Sequence, residues 1–504
     1  ELSNRRALTA SLLFARRIKR LNRSQNVGLL LPTSSAGILA NLGALLAGKT
    51  LVNLNYSASL QALKAACNKA ELTTVFTARR FISKLEQRGI DLSPLAEQVS
   101  LVYLEDIAAE IGPLEKALTL ASTLLPARWL VRMAGGSRDN QSAAAILFSS
   151  GSEGEPKGVV LSHRNIMANI QQVSDVLDTL PEDRMMATLP LFHAFGLTVT
   201  GLMPLIEGIP AICHPDPTDA LTIAKGVARY KGSIFCGTST FLRLFNRNSK
   251  IHPLMLDSLR IVVAGAERLN PEVRDSFQQR FNKPILEGYG TTETTPVASV
   301  NVPDRIDTSD WHIQRGSKAG TVGLPLPGSS FRIVDPDTLG TLPAGEDGLI
   351  LIGGTQVMQG YLNDPERTAA VIVELDGQRW YRSGDKGHLD EDGFLTIVDR
   401  YSRFAKLGGE MVSLGAVEGA IAQQLPEGVE VLATAIPDAR KGEKVVLLYS
   451  GEIAAAALQS AIENSGLNPL MRPAEQIKLD AIPKLGSGKN DYASARATAL
   501  AHSP

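Results

Sequence analysis

The segment Ile146-Leu-Phe-Ser-Ser-Gly-Ser-Glu-Gly-Glu-Pro-Lys157-Gly-Val-Val brings small, hydroxyl-bearing and cationic residues together in the order a phosphate loop needs. An apolar strand runs into a turn of hydroxyls and glycines, the turn ends in a lysine, and a second apolar segment follows. Gly151 and Gly154 let the backbone approach a ligand closely, Ser149, Ser150 and Ser152 can donate to phosphate oxygens, and Lys157 supplies a cation. The spacing departs from the GxxxxGK[ST] loop of the common NTPases. A structural turn with one solvated lysine is the plainer alternative for the same residues.

Further segments follow in order: Leu189-Pro-Leu-Phe-His193-Ala-Phe-Gly196, Val263-Ala-Gly265-Ala266-Glu267, and Glu287-Gly-Tyr289-Gly290-Thr291-Thr292-Glu293. Tyr381-Arg-Ser-Gly384-Asp385, Asp392-Gly393, Asp399-Arg400 and Pro483-Lys-Leu-Gly-Ser-Gly-Lys489 complete the series. With the loop, this set resembles the motifs of the adenylate-forming enzymes, the superfamily of acyl-CoA synthetases, peptide-synthetase adenylation domains and luciferases. The resemblance implies an α/β chain with a large N-terminal domain of layered subdomains, a β-rich subdomain and a small mobile α+β C-terminal domain. It implies ATP and Mg²⁺ as cofactors.

Each position then acquires a task. A carboxylate is a poor electrophile, and attack on the α-phosphate of ATP converts it to an acyl-adenylate by chemistry in which positioning and charge neutralisation dominate. Glu293 is suited to Mg²⁺, a hard cation that takes carboxylate oxygen together with phosphates and water; a solvated surface carboxylate is the alternative. Thr292 would donate to the α-phosphate. Gly265, Ala266 and Glu267 would flank the adenine, and Gly290 and Thr291 the phosphates. Tyr289 would stack on the base or instead be a buried tyrosine with its hydroxyl satisfied. Asp385 could accept both ribose hydroxyls, with Arg400 as a fork donor. Lys489, on its Gly-Ser-Gly loop, would enter the site for one step and leave for another, with Gly408 and Gly409 at the thiol entrance.

Stepping outward to the elements, apolar runs alternate with amphipathic helical stretches: Ser142–Ser149, then Asn165–Leu177, then Arg184–Leu189. That alternation favours largely parallel sheets. The uncharged run from Ser24 to Gly48 is broken by Pro32-Thr-Ser-Ser, so it reads as a strand, 27–31, and a helix, 36–46, more readily than as a membrane span. From Ala319 short strands broken by Gly and Pro indicate the β-rich subdomain. The expected organisation is a domain over 1–398, its β-rich part over 319–398, a hinge at 399–403 and a lid over 404–504, with strands at 430–436 and 444–449 and helices at 414–423 and 454–465.

Of the 504 residues, 44% are hydrophobic and 20% charged, with 51 Lys plus Arg against 52 Asp plus Glu. A disordered chain and a whole-chain basic nucleic-acid footprint are excluded. Cys67, Cys213 and Cys236 form no CxxC pair, which argues against a disulfide frame or zinc site and for a reducing, cytoplasm-facing location.

No acid stands in Phe192-His193-Ala-Phe-Gly196 to hold an ammonium group, so the acid substrate is expected to be apolar, a fatty acid. Gly196, Gly201, Gly237 and Thr238 could leave room for an acyl chain or be close-packing positions. His193 could gate that channel, contact the carboxylate or be a satisfied core residue. The spellings Cys236-Gly-Thr-Ser-Thr240-Phe, Gly409-Glu-Met-Val-Ser-Leu and Leu485-Gly-Ser-Gly-Lys look like the acyl-[acyl-carrier-protein] synthetase subgroup found with a lysophospholipid acyltransferase. This resemblance implies acyl carrier protein as acceptor, with CoA as the alternative. The start at Glu1 without Met is compatible with a portion of such a longer chain. Glu153, Asp399 and Ser402 depart from the superfamily pattern and leave the loop charge and hinge mechanics open. Finally, Leu118–Met133, with Trp129 between Arg128 and Arg132, could lie on a lipid surface or pack on its own domain with snorkelling arginines.

Overall fold

The computed structural model describes residues 1–136, 139–149, 156–407, 410–426, 428–438, 442–469, 471–484 and 490–502. Two seven-stranded sheets dominate the first 330 or so positions. In the first, the spatial order is Gly360–Tyr361, Lys157–Ser162, Ala143–Ser149, Thr50–Asn53, Asn26–Leu30, Thr74–Thr77 and Ser100–Tyr103. In the second it is Leu324–Pro325, Val297–Val300, Leu286–Gly290, Ile261–Ala264, Ile234–Gly237, Met185–Ala187 and Ala211–Cys213. Strands such as Ile234–Gly237 and Ile261–Ala264 are buried at every residue, as expected for parallel strands covered on both faces.

The parallel expectation fails at one edge of each sheet. Lys157–Ser162 and Gly360–Tyr361 run antiparallel in the first sheet, and Val297–Val300 and Leu324–Pro325 in the second. The connections after Ser149 and after Gly290 are too short for a crossover, so the chain turns back as a hairpin.

Helix His163–Leu177 stands where the two sheets share a core. Ser162 caps it, accepting from the Asn165 amide while Asn165 Oδ1 accepts from the Ser162 amide. Its buried Ile166, Ile170, Val173 and Leu177 join one cluster with Leu29 and Leu147 of the first sheet and Val263 and Leu286 of the second. A second buried row, Asn165, Asn169 and Gln172, is polar.

An antiparallel sheet follows, Ser329–Val334, Gly348–Gly354, Gln378–Leu389 and Ile372–Leu375, with Leu395–Arg400 on the other side of Gln378–Leu389. Beyond it, Phe404–Leu407, Glu410–Ser413, Gly442–Ser450, Glu430–Asp438 and Glu475–Lys478 form a last sheet. Helices Leu414–Ala422 and Ala455–Asn464 supply Val417, Ile421 and Leu458 to a core with Leu447. Burying each such side chain contributes about 1.5–3 kcal/mol, so this unit has a core of its own.

The run from Ser24 to Gly48 is a buried strand, Asn26–Leu30, and a helix, Ser35–Leu46, capped by Ser34. Among the described residues no helix is long and apolar enough to cross a membrane.

Candidate active site

Ser149 pairs with Lys157 across the hairpin, so the two ends of the loop are held by strand register. Ser150, Gly151, Ser152, Glu153 and Gly154 lie outside the described residues. The Gly360–Tyr361 strand is laid beside Lys157–Ser162 by bonds from the Gln359 amide to the Val160 carbonyl, 2.9 Å, and from the Leu362 amide to the Gly158 carbonyl, 2.7 Å. That places the Tyr361 ring 6.0 Å from Lys157 Nζ. The Tyr361 hydroxyl donates to Glu293 Oε1 at 2.8 Å. Burial, then the neighbouring Glu293 charge, pushes the Tyr361 hydroxyl far up, so it stays a donor. Tyr361 therefore joins the phosphate-loop lysine to the carboxylate of the Thr-Thr-Glu turn. Nothing in the spacing of Gln359-Gly-Tyr-Leu362 marks it.

The turn carrying Thr292 and Glu293 follows Gly290, which ends its strand opposite Val297. The Thr291 amide donates to Thr294 Oγ1 at 3.0 Å, and that hydroxyl donates to the Pro296 carbonyl at 2.6 Å. From outside, the Met358 amide donates to the Glu293 carbonyl at 2.8 Å, and Thr295 Oγ1 donates to the Gln356 carbonyl at 2.6 Å. The polar row on helix His163–Leu177 fixes the same segments. Asn165 Nδ2 donates to the carbonyls of Thr355 and Val357, 2.7 and 3.0 Å. Asn169 donates to the Val297 carbonyl at 2.7 Å and accepts from its amide at 3.1 Å, and Gln172 donates to the Pro327 carbonyl at 2.8 Å. Buried amides are costly unless paired. These are paired to the backbone that aims Glu293.

A second cluster forms where Asp385 and Arg400 face each other in register on adjacent strands. Asp385 is 3% exposed, accepts from the Tyr289 hydroxyl at 2.5 Å and from Arg400 Nε at 3.1 Å. Burial raises its carboxyl above the usual range, opposed chiefly by the Arg400 charge. Arg400, held strongly cationic by Asp385, keeps 65% of its side chain exposed. The hydroxyl of the half-buried Tyr289 is thus satisfied by Asp385.

Gly265 donates from its amide to the Gly237 carbonyl at 3.1 Å, joining two of the expected residues. Ala266, at φ 70°, is exposed. Glu267 is engaged elsewhere: its carboxylate accepts from the Thr240 amide and, at 3.1 Å, from the Thr240 hydroxyl. It thus serves the first turn of helix Ser239–Arg247, which Thr238 caps through the Phe241 amide, 3.3 Å. His193 donates from its amide to the Pro190 carbonyl, and its ring lies 4.5 Å from that of Phe192. The chain then enters a π-helix, Phe195–Leu202. Such turns collect at functional sites, and the sequence gives no sign of this one. A Cβ at Gly196 would lie 2.0 Å from the Pro190 carbonyl oxygen. Gly196 is therefore a close-packing position and leaves no spare room for a chain.

Asp399, the unexplained departure, spans the expected hinge. Its Oδ2 accepts from Ser413 Oγ at 2.6 Å and from the Gly415 amide at 2.9 Å, at the start of helix Leu414–Ala422. Ser402 lies in a short helical turn, Tyr401–Arg403. Arg403 donates to Glu418 at 2.6 Å and to the Tyr492 hydroxyl at 2.9 Å. Gly408, Gly409 and Lys489 lie outside the described residues. Lys484 and Asn490 form an antiparallel bridge at the two ends of the lysine loop.

Among the described residues no group of three or more His, Cys, Asp or Glu could hold a metal. A lone glutamate beside a phosphate loop still fits Mg²⁺, which is bound through one or two carboxylates plus substrate phosphates. Glu293 would hold the ion, which would neutralise phosphate charge.

The model of the AMP-binding enzyme family matches residues 1–362, and the chain belongs to that family. The long-chain-fatty-acid–CoA ligase of Bacillus subtilis (strain 168) is 26% identical over 492 residues, covering 93% of this chain and 84% of that protein. ATP-bound MatB from Rhodopseudomonas palustris matches with TM-score 0.78 at 24% identity over 98% of this chain and 92% of that chain. The Bacillus subtilis o-succinylbenzoate CoA synthetase in complex with its acyl-adenylate intermediate matches with TM-score 0.77 at 20% identity, covering 97% and 92%. The protein is an adenylate-forming acid–thiol ligase.

Proposed function

We propose that the protein activates a long-chain fatty acid with ATP and Mg²⁺ and transfers the acyl group to a phosphopantetheine thiol. The observation that carries this reading is the linkage Lys157–Tyr361–Glu293 together with the Tyr289–Asp385–Arg400 cluster. In the first step a carboxylate oxygen attacks the α-phosphorus, and the bond to pyrophosphate breaks. In the second the thiol sulfur attacks the acyl carbonyl, its proton leaves to solvent, and AMP departs. Lys157 and the loop hydroxyls hold the polyphosphate, Thr292 the α-phosphate, Asp385 and Arg400 the ribose side. Lys489 neutralises charge as the carboxylate approaches, and the unit beyond the 399–403 hinge turns between the steps.

An apolar acid agrees with the absence of a carboxylate in 192–196 and with the buried Leu197, Val199 and Leu202 of the π-helix. The relatives named long-chain-fatty-acid–CoA ligase support CoA as acceptor ahead of the carrier protein. The carrier-protein reading retains the motif spellings around Gly409 and Lys489, and would make the product a donor for lysophospholipid reacylation. A side-by-side assay with CoA and holo carrier protein at equal concentration decides. Faster thioester formation with CoA supports the first reading, and a clear preference for the carrier protein replaces it with the second.

A further inference from the structure

Helix Pro113–Ser122 is folded inside out. Two of its polar residues face the protein while Lys116 stays exposed: Glu115 accepts from Arg17 at 2.7 and 3.0 Å, and Thr119, fully buried, accepts from Arg16 at 2.9 Å. Leu114, Ala117, Leu118 and Ala121, spaced as one helical stripe, face solvent, Leu114 and Leu118 at 73% and 61% exposure. The connection adds Leu124 at 68%, and helix Ala127–Ala134 adds Trp129 and Met133 at 54% and 53%. An ordinary surface helix turns its apolar stripe to the core. This one does the reverse, and with the exposed Leu124, Trp129 and Met133 that follow it leaves a run of apolar side chains open to solvent.

Its electrostatic setting is equally one-sided. Helix Asn4–Leu21, which packs against the inner side, carries Arg5, Arg6, Arg16, Arg17, Lys19 and Arg20 and no acid. The two outer helices carry Lys116, Arg128 and Arg132 against Glu115, which pairs with Arg17, while Glu110 just before them pairs with Arg17 and Arg20. In a chain whose net charge is −1, this is a strong local excess of cations. Arg128 and Arg132 lie one turn apart next to the Trp129–Met133 pair, while Leu130 and Ala134 anchor the helix from below. Cations, then exposed aromatic and aliphatic bulk, then a buried edge is the cross-section of a helix lying in a membrane interface.

We infer that this face docks on an anionic phospholipid surface. A second copy of the chain is a poorer occupant, because a two-fold contact would set the arginines of one copy against those of the other. The inference is independent of the fatty-acid reading, and its failure would leave that reading standing.

The test is flotation of the full chain with vesicles of phosphatidylglycerol and phosphatidylethanolamine, against vesicles of phosphatidylcholine alone. The wild type is expected to float with the anionic vesicles and to lose that binding at high salt. Leu118→Glu/Leu124→Glu/Trp129→Glu should lower the partition coefficient by about tenfold or more. Arg128→Glu/Arg132→Glu should remove the preference for anionic lipid. Both variants should keep the wild-type circular dichroism and melting temperature, which checks folding. No flotation of the wild type, or flotation of the triple variant equal to it, overturns the inference. So does a wild-type dimer that the triple variant converts to monomer without vesicle binding, because that assigns the face to a second copy.

Discussion

Replacing Tyr361 by Phe removes one oxygen and leaves the ring in its packed position. The lost group donates at 2.8 Å to Glu293 Oε1 and sits in a residue 7% exposed. A hydrogen bond to a charged acceptor contributes about 1.5–3 kcal/mol, which corresponds to about ten- to a hundredfold in an equilibrium or rate. If that bond aims the carboxylate at the metal-bound nucleotide, the loss should appear as a lower rate of pyrophosphate release and as a higher Mg²⁺ concentration for half-maximal rate. Thermal stability should change little, since the ring keeps its contacts. The assay is acid-dependent pyrophosphate release titrated with Mg²⁺ for wild type and Tyr361→Phe. An unchanged Mg²⁺ midpoint and rate would refute the positioning argument. A lower rate at an unchanged midpoint, with a fall in melting temperature, would make Tyr361 merely structural.

Other outcomes follow from the same geometry. Arg400→Met removes the charge that opposes the burial-raised carboxyl of Asp385; the carboxyl rises further, so the acid limb of ATP binding moves to higher pH, measured by nucleotide titration across pH. An acid limb that stays put or moves down would contradict this sign. Asn169→Leu leaves the partly buried Val297 amide and carbonyl without the Asn169 side chain as partner and should cost about 1–3 kcal/mol per unsatisfied group, seen as a lower urea midpoint. Asp399→Ala leaves the Ser413 cap of helix Leu414–Ala422 in place but removes the carboxylate that accepts from Ser413 Oγ and the Gly415 amide, and should cost about 1–3 kcal/mol in the unfolding of the C-terminal unit. Gly415→Ala, whose Cβ would lie 2.5 Å from Asp399 Oδ2, should destabilise the wild type and be tolerated beside Asp399→Ala. Additive effects would mean that the two residues do not meet as described.

The parts of this architecture that the sequence displays are those whose chemistry is local. The strands on either side of the Ser/Gly segment and the Tyr-Gly-Thr-Thr-Glu turn rest on residue types set close together or on plain apolar patterns, whereas the pairing of Asp385 with Arg400 joins two strands and was not foreseen. The strand and helix at Asn26–Leu30 and Ser35–Leu46 were legible because Pro32-Thr-Ser-Ser breaks the apolar run and Ser34 offers a cap. Tyr361, Asn165, Asn169 and Gln172 were not legible. Their partners are a distant carboxylate and backbone carbonyls, and no spacing rule connects side chains to carbonyls some 130 to 190 positions away. The π-helix is hidden because its apolar residues read as any buried helix. The role of Asp399 was not legible for a related reason, since its partners Ser413 and Gly415 lie 14 and 16 positions on. Nor does the sequence show that Glu267, besides standing in the expected adenine-side segment, accepts from Thr240 at the first turn of a neighbouring helix.

The central claim is tested most directly by following pyrophosphate release with ATP, Mg²⁺ and palmitate in wild type and Lys489→Ala, together with thioester formation from supplied palmitoyl-adenylate and CoA. The account predicts palmitate-dependent release by the wild type, its abolition in Lys489→Ala, and thioester formation largely preserved in that variant. Absence of release across fatty-acid chain lengths, or loss of both half-reactions in Lys489→Ala, would contradict it.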